Sequence, residues 1–319
     1  MEGVQILARW LLILAALSVS LASIAGFFGR RWWVFDLFSH FRVQYLALLV
    51  VIGTLLLIFR QPKVAMLAAV FAAVNLATIL PLNLPSPFAW GASPARAANP
   101  ACRALLVNVL QPNRETSLVA NLIEEANPDL VVLVEVNQRW MDELQPVLAT
   151  YPYRVAEIRE DHYGIALASR IPLETGKVER FDASGIPAVV ARLTLEHQVV
   201  TLLGAHIPPP KSAVGANQRN RQLEAMARFA AVQPGPVIVI GDLNITSWSP
   251  YFRDFIFVSG LRDSRRGFGI QPTWSTNTPL LMVPIDHVLV SDGIRILERK
   301  TGPYIGSDHL PVTIDFSVQ

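Results

Sequence analysis

Polar, titratable residues recur where short apolar runs of this 319-residue chain begin or end. Asn108 stands at the end of the run 104–109, Glu135 follows 130–134, His206 closes 199–206, and Asp242 and Asn244 follow 237–240. Asp286 and His287 open 285–290, and Ser307-Asp308-His309 precedes 312–316. An apolar strand that runs into Asp, Glu, Asn or His places a polar group on a rigid mount at a sheet edge. Taken singly, each has an ordinary explanation. Asp or Asn after a strand is commonly a turn or a helix cap, and an isolated histidine is commonly a hydrogen-bonded structural residue, which is the expectation for His40, His162 and His197. Six strand ends carrying such groups, with three of the six histidines among them, form a pattern that calls for chemistry.

The residue types narrow that chemistry. Glu135 and Asp308 are hard oxygen ligands, and Asn108 is either a neutral carbonyl ligand or a donor behind them, a set suited to Mg²⁺, Mn²⁺ or Ca²⁺. His206 and His309 are able to bind and protonate anionic oxygen, Asp242 to take a proton from water, and Asp286 to fix a histidine tautomer. A hard metal, histidines and a water-activating carboxylate together describe phosphate-ester hydrolysis. A histidine-based zinc hydrolase lacks its His-Glu-x-x-His spacing here, and no Gly-rich phosphate loop of either common spacing occurs. The single cysteine, Cys102, excludes an internal disulfide and a cysteine-based zinc site.

The elements that would carry these groups alternate. Helical spacing covers 115–126, 140–148 and 216–232, and strands are expected over 104–109, 130–134, 153–157, 164–169, 188–195, 199–206, 237–240, 285–290 and 312–316. Hairpins and crossovers both occur, so the fold class is α/β with mixed sheets in layers.

All of this lies beyond residue 100. The first hundred residues hold seven of the 27 Lys/Arg and two of the 25 Asp/Glu, so their net charge is +5 and that of the remainder is −3. The overall +2 and the 52% hydrophobic content average two unlike materials, and exclude a disordered or collagen-like chain. Charge-free runs over about 10–28, 43–59 and 64–82 are each long enough to cross the hydrocarbon core of a bilayer. Trp10, Arg30 to Trp33, Tyr45, Arg60 and Lys63 sit where interfaces would fall. Three transmembrane helices are therefore expected in an anchor spanning 1–82, followed by a Pro/Ala-rich linker over 83–100 and a catalytic domain over 101–319. Basic residues tie at three on each side (Arg9, Arg60 and Lys63 against Arg30, Arg31 and Arg42). The tight basic hairpin at 60–63 favours the cytoplasm, which puts the catalytic domain on the extracytoplasmic side of a bacterial plasma membrane.

From Cys102 to the C-terminus the motifs resemble the endonuclease/exonuclease/phosphatase superfamily, the DNase I-like fold. They run in order through Asn108, Glu135 in Pro-Asp-Leu-Val-Val-Leu-Val-Glu, Gly164 with Ser169-Arg170, His206, Gly-Asp-Leu-Asn, Thr273-Trp274, Ile-Asp-His-Val-Leu-Val-Ser and Gly-Ser-Asp-His-Leu-Pro-Val. The resemblance implies a four-layer α/β/β/α sandwich preceded by the three transmembrane helices. It implies a Mg²⁺ (or Mn²⁺) ion on Glu135, Asn108 and Asp308, and water activation by Asp242 with Asn244 on the phosphate. It also implies transition-state stabilisation by His309 paired with Asp286, leaving-group assistance by His206, and substrate contacts from Thr273, Trp274 and Ser307. Two departures stand out. Val134 replaces the usual Gln before the metal-binding Glu, and Ile207-Pro208-Pro209-Pro210 follows His206 as either an entrance wall or a structural brace.

A membrane-anchored phosphoesterase acting on nucleic acid comes first among the functions, and one acting on lipid or inositol phosphates second. The net −3 of the catalytic part argues against indiscriminate DNA binding, unless Arg219 with Arg221, and Arg262 with Arg265 and Arg266, form a basic rim. The bilayer itself is the other expected partner, with no obligate protein partner. A non-catalytic scaffold is the alternative of another class. It would be marked by loss of a key residue, whereas Glu135, His206, Asp242, Asp286 and His309 are all present.

Overall fold

The computed structural model describes residues 2–84 and 102–319. It opens with α1 (Glu2–Ala25), which tightens into a 3₁₀ turn at Gly26–Phe28, then α2 (Trp33–Ser39), α3 (Arg42–Ile58) and α4 (Pro62–Asn83). The first helix and α4 are each long and apolar enough to cross a membrane, with mean hydropathies of 2.3 and 2.1. Helices α2 and α3 meet at 65°, and would make a third such unit if the bent pair is one span. Inside the bundle Arg42 donates to the Ser23 carbonyl (2.8 Å) and Asn75 to the Ser23 hydroxyl (2.8 Å), tying three helices by polar contacts. Gly26 permits the end of α1 to meet the end of α2, because a Cβ there would lie 2.9 Å from Ser39 Cα.

Helix α2 is absent from the sequence expectation, since Asp36 interrupts its apolar run. Helix α4 continues through Pro81, which falls in its last turn where a missing N–H costs a single bond. The linker expected over 83–100 lies, from residue 85 onward, outside the described residues.

After residue 101 the order is β1 (Cys102–Asn108), α5 (Thr116–Ala126), β2 (Leu130–Val134), α6 (Gln138–Glu143), α7 (Gln145–Leu148), β3 (Tyr153–Glu157), β4 (Ile165–Ser169), β5 (Leu173–Arg180), β6 (Pro187–Leu195), β7 (Gln198–His206), α8 (Ala213–Ala231), β8 (Val237–Asp242), α9 (Pro250–Ser259), β9 (Arg262–Asp263), β10 (Asp286–Val290), β11 (Ile294–Thr301) and β12 (Val312–Val318). Two six-stranded sheets form, ordered β11-β12-β1-β2-β4-β3 and β5-β6-β7-β8-β10-β9. Leu106, Val132, Leu202 and Ile238 fill the space between the sheets. Leu105 and Val131 turn outward against Ile123 and Trp140, and Leu203 and Val239 against Leu223 and Phe255. The strands buried on both faces read as unbroken apolar runs for this reason. The result is the expected α/β/β/α sandwich. The single helix expected over 140–148 is instead two short ones, with Pro146 in the first turn of the second.

Each sheet has one parallel pair, β1 with β2 across α5 and β7 with β8 across α8. The carboxyl ends of these pairs, where a crossover leaves an open crevice, lie at one edge of the sandwich. The helical part docks beside it. Asp36 of α2 pairs with Arg219 of α8 (2.5 Å) and accepts from the Ser249 hydroxyl (2.7 Å). Gln44 donates to the Met282 carbonyl (2.9 Å), Trp248 to the Thr78 carbonyl (3.2 Å), and the Gly267 and Gly269 amides to the Leu82 carbonyl (3.0 Å each). On the surface Arg30 reaches Asp254 at 2.6 Å.

Candidate active site

Strand register brings the sequence-predicted groups together. Asn108 ends β1 opposite Val134, and Glu135 follows immediately. His206 pairs in register with Asp242, and Asp242 with Asp286 of the antiparallel neighbour β10. Gly241 is needed before Asp242, because a Cβ there would stand 1.8 Å from the Ala205 carbonyl oxygen. Glu135 and Asn244 turn away from their strands with left-handed backbone, φ of 63° and 48°, a conformation that costs a side-chain-bearing residue of order 1–3 kcal/mol.

Asp242 is the hub. Its Oδ2 accepts from the Asn108 amide (3.2 Å) and lies 3.6 Å from Nε2 of both His206 and His309, while Oδ1 accepts from the Asn244 N–H (2.9 Å). His309 Nδ1 donates to Asp286 Oδ2 at 2.9 Å, as the resemblance implied. His206 Nδ1 faces the His162 carbonyl (3.2 Å), and since a carbonyl only accepts, Nδ1 carries the hydrogen and Nε2 is bare when the ring is neutral.

The two histidines are pushed apart electrostatically. Burial lowers the pKa of His206, so it is neutral at pH 7. Burial also works against charge on His309, but Asp286 and Asp242 outweigh it and raise that imidazole to about 10. Burial and the adjacent Asp286 push the Asp242 carboxyl upward, whereas Asp286, although equally buried, is held low by His309. Burial works against charge on Glu135 as well, yet His206, the Asn108 amide and the Gln111 N–H hold it below the usual carboxylate range. A neutral histidine and a cationic one thus flank a carboxyl that gains protons easily.

The donor set fits a hard divalent cation. Glu135 and Asp308 both line one cavity of about 620 Å³, and Asp308 Oδ1 is buried without a hydrogen-bond partner, with His309 Nε2 4.0 Å away. Trp274 Nε1 holds the other Asp308 oxygen at 2.9 Å. Asp242, Asp286 and His309 also place their ligand atoms within 4.8 Å of one another, but His309 and Asp286 already satisfy each other. Asn108 takes the second of the two roles open to it, that of a donor. Its oxygen accepts from the Leu110 N–H (3.0 Å), so its NH₂ faces Glu135 (3.1 Å) and Asp242. Val134 lies in the core between the sheets, and Glu135 takes further contacts from the Gln111 N–H and His162 Nδ1 (3.3 Å each).

Other expectations need correction. Thr273 and Ser307 sit behind the cavity. The Thr273 hydroxyl accepts from the Ile285 and Asp286 amides (3.3 Å each), and the Ser307 hydroxyl donates to the Asn108 carbonyl (2.8 Å) and accepts from the His309 amide. Both hydroxyls thus hold the backbone at Asp286, Asn108 and His309. The Asn244 side-chain amide donates to the Ile207 carbonyl (2.9 Å), bracing the chain after His206. Pro209 and Pro210 line the cavity, which favours the entrance-wall reading of that segment. His40 and His162 line it too while making hydrogen bonds of the expected kind, to Thr246 (2.9 Å) and Glu135 (3.3 Å), whereas His197 lies exposed in the β6–β7 turn. The basic clusters leave Arg221 and Arg266 exposed, and neither lines the cavity. Arg219 and Arg265 are fully buried in ion pairs with Asp36 and Asp263, and Arg262 pairs with Asp292.

Residues 103–309 match the model of the Endonuclease/Exonuclease/phosphatase family. No curated protein sequence matches the chain. Among solved structures, D. rerio TDP2 complexed with a single-strand DNA product is similar at 15% identity and TM-score 0.60, covering 68% of this chain and 99% of that one. An endonuclease/exonuclease/phosphatase from Beutenbergia cavernae is similar at 21% identity and TM-score 0.55, covering 68% and 71%. Beta toxin from Staphylococcus aureus is similar at 16% identity and TM-score 0.51, covering 67% and 99%. The sandwich is thus of DNase I-like fold.

Proposed function

The chain belongs to the endonuclease/exonuclease/phosphatase family, and from that premise we propose that it is a membrane-held hydrolase of phosphodiesters that works with a divalent metal ion. The observation that carries this reading is the single hub at Asp242, with His206 and His309 Nε2 each at 3.6 Å and Glu135 and Asp308 lining the same cavity. Glu135 and Asp308 would hold Mg²⁺ or Mn²⁺, which when bound offsets negative charge on the phosphoryl oxygens. Asp242 in its ionised form, which the adjacent cationic His309 favours, takes a proton from the attacking water, whose oxygen bonds to phosphorus. Cationic His309, fixed by Asp286, neutralises charge developing on the phosphoryl oxygens. His206 relays the proton from Asp242 to the departing oxygen as the phosphorus–oxygen ester bond breaks.

The three apolar helical units are read as the anchor. Arg42 lies within the bundle and Arg30 is paired with Asp254, which leaves the exposed Arg31 on that side against Arg9, Arg60 and Lys63 on the other. That asymmetry supports a cytoplasmic hairpin and an extracytoplasmic catalytic domain. A test uses the full chain in detergent with bis(p-nitrophenyl) phosphate. Hydrolysis is expected to disappear on chelation and return with Mg²⁺ or Mn²⁺, and His309→Ala is expected to remove it. Metal-independent turnover, or a fully active variant, would overturn the assignment.

A further inference from the structure

The wall of the catalytic cavity is built in part by the helical segment. Leu37 of α2, and His40 and Phe41 between α2 and α3, line the same space as Glu135, Asp242 and His309. Every helix-to-sandwich contact named above falls at one end of the bundle, on Arg30, Asp36 and Gln44, or on Thr78 and Leu82 near the end of α4. The mouth of the cavity is therefore level with the helix ends, where a bilayer meets water.

Three features say what enters. First, most of the exposed lining surface is apolar, with Leu37, Phe41, Leu110, Pro210, Val283 and Ile285 contributing to it beside the polar cluster. Lys211 is the one Lys or Arg among the described lining residues. With Arg219 and Arg265 buried in ion pairs, the lining lacks the multiple phosphate contacts a nucleic-acid strand requires. Second, the strip leading to Val283 and Ile285 presents Leu280 and Leu281, 90% and 53% exposed, immediately before Met282, whose carbonyl is held by Gln44 at the start of α3. An exposed leucine pair at a helix-end interface suits insertion among lipid chains. Third, His40 is buried and holds Thr246 through Nδ1 (2.9 Å), while its Nε2 has no partner. A buried imidazole nitrogen in a cavity wall is a hydrogen-bonding position awaiting a polar group.

We propose that the segment Leu37–Phe41 is part of the substrate site and that the substrate is a phosphodiester carrying a long apolar chain, entering from the bilayer. This rests on the phosphodiesterase reading above. The phosphate lies at Asp242 and His309, the chain follows Leu37, Phe41 and Val283, and His40 Nε2 meets a polar group beside the phosphate. Water adds its oxygen to phosphorus, the ester bond breaks, and the proton taken from water ends on the released alcohol.

The test measures kcat/KM of the full chain in detergent micelles on p-nitrophenyl alkyl phosphates with methyl, hexyl and dodecyl chains, and on a single-stranded oligonucleotide. The expected result is a rise of at least tenfold from methyl to dodecyl, carried by KM, with the oligonucleotide below the dodecyl ester. Leu37→Ser/Phe41→Ser is expected to remove the chain-length dependence. Partition into micelles is the same for parent and variant, so the difference between them reads the wall. Should that variant fail to fold, Leu280→Asp/Leu281→Asp, outside the cavity lining, is expected to leave methyl-ester turnover unchanged and slow hydrolysis of the dodecyl ester in vesicles of phosphatidylglycerol and phosphatidylethanolamine several-fold. A flat chain-length profile, or an oligonucleotide cleaved faster than every ester, overturns the proposal while leaving the phosphodiesterase reading intact. Hydrolysis of no phosphodiester at all overturns both.

Discussion

Asp36→Asn removes the charge that Arg219 faces while preserving the side chain's shape. Both members of the pair are fully buried, and Asp36 also accepts from the Ser249 hydroxyl, so the lost charge is replaced neither by water nor by a neighbour. Breaking such a pair by neutralising one member costs about 3–5 kcal/mol, because the other charge is left buried and uncompensated. For a unit of some 200 residues this corresponds to a fall in Tm of roughly 6 to 20 °C. The exposed Arg30–Asp254 pair, with side chains 62% and 45% accessible, is an internal control whose removal costs under about 1 kcal/mol. Thermal unfolding of the full chain in one detergent, with hydrogen exchange read separately over α2, α8 and α9, distinguishes the two. The double variant Asp36→Leu/Arg219→Leu is expected to recover most of the loss, since it buries no lone charge. If Asp36→Asn is as mild as Arg30→Ala, the helical segment is not held on the sandwich by this pair, and the cavity wall at Leu37–Phe41 loses its support.

Burial, with Arg265 nearby, pushes His287 down to about 3, while the unfolded chain keeps it near 6.5. The stability it contributes is therefore complete above pH 6.5 and declines as pH falls. His287→Gln is expected to lose about 2 kcal/mol less than the parent between pH 7 and pH 5 in denaturant titrations. Trp274→Phe frees the Asp308 oxygen held at 2.9 Å, and should raise the Mg²⁺ concentration giving half-maximal hydrolysis about 10- to 100-fold. Gly241→Ala drives a methyl to 1.8 Å from the Ala205 carbonyl between two paired strands, and is expected to cost about 3 kcal/mol in equilibrium unfolding.

The buried strands were legible because a strand enclosed on both faces is an unbroken apolar run, as in residues 130–134. Those missed were β5, β9 and β11, all sheet edges, with sequences such as Leu-Glu-Thr-Gly-Lys-Val-Glu-Arg whose exposed faces carry charge. The site was legible where a polar residue ended a buried strand. That Thr273 and Ser307 are buried behind the cavity was not legible, because a motif position does not say which way a hydroxyl faces. Arg219 and Arg265 looked like surface cations because their partners are set by folding. Asp36 is distant in sequence, and Asp263, two residues from Arg265, is buried with it. His40 makes the structural hydrogen bond expected of it, but its place in the cavity wall was not legible, because nothing local to it signals that α2 folds back over that edge.

The central claim is that Asp242 activates water for metal-dependent phosphodiester hydrolysis. It is tested most directly by Asp242→Asn in the full chain, assayed with saturating Mg²⁺ across pH 6 to 9. The variant keeps the Asn244 and Asn108 neighbours and removes the proton acceptor. Turnover is expected to fall by about 10² to 10⁴ at every pH, with the structure unchanged by circular dichroism. Turnover within about threefold of the parent would contradict the account.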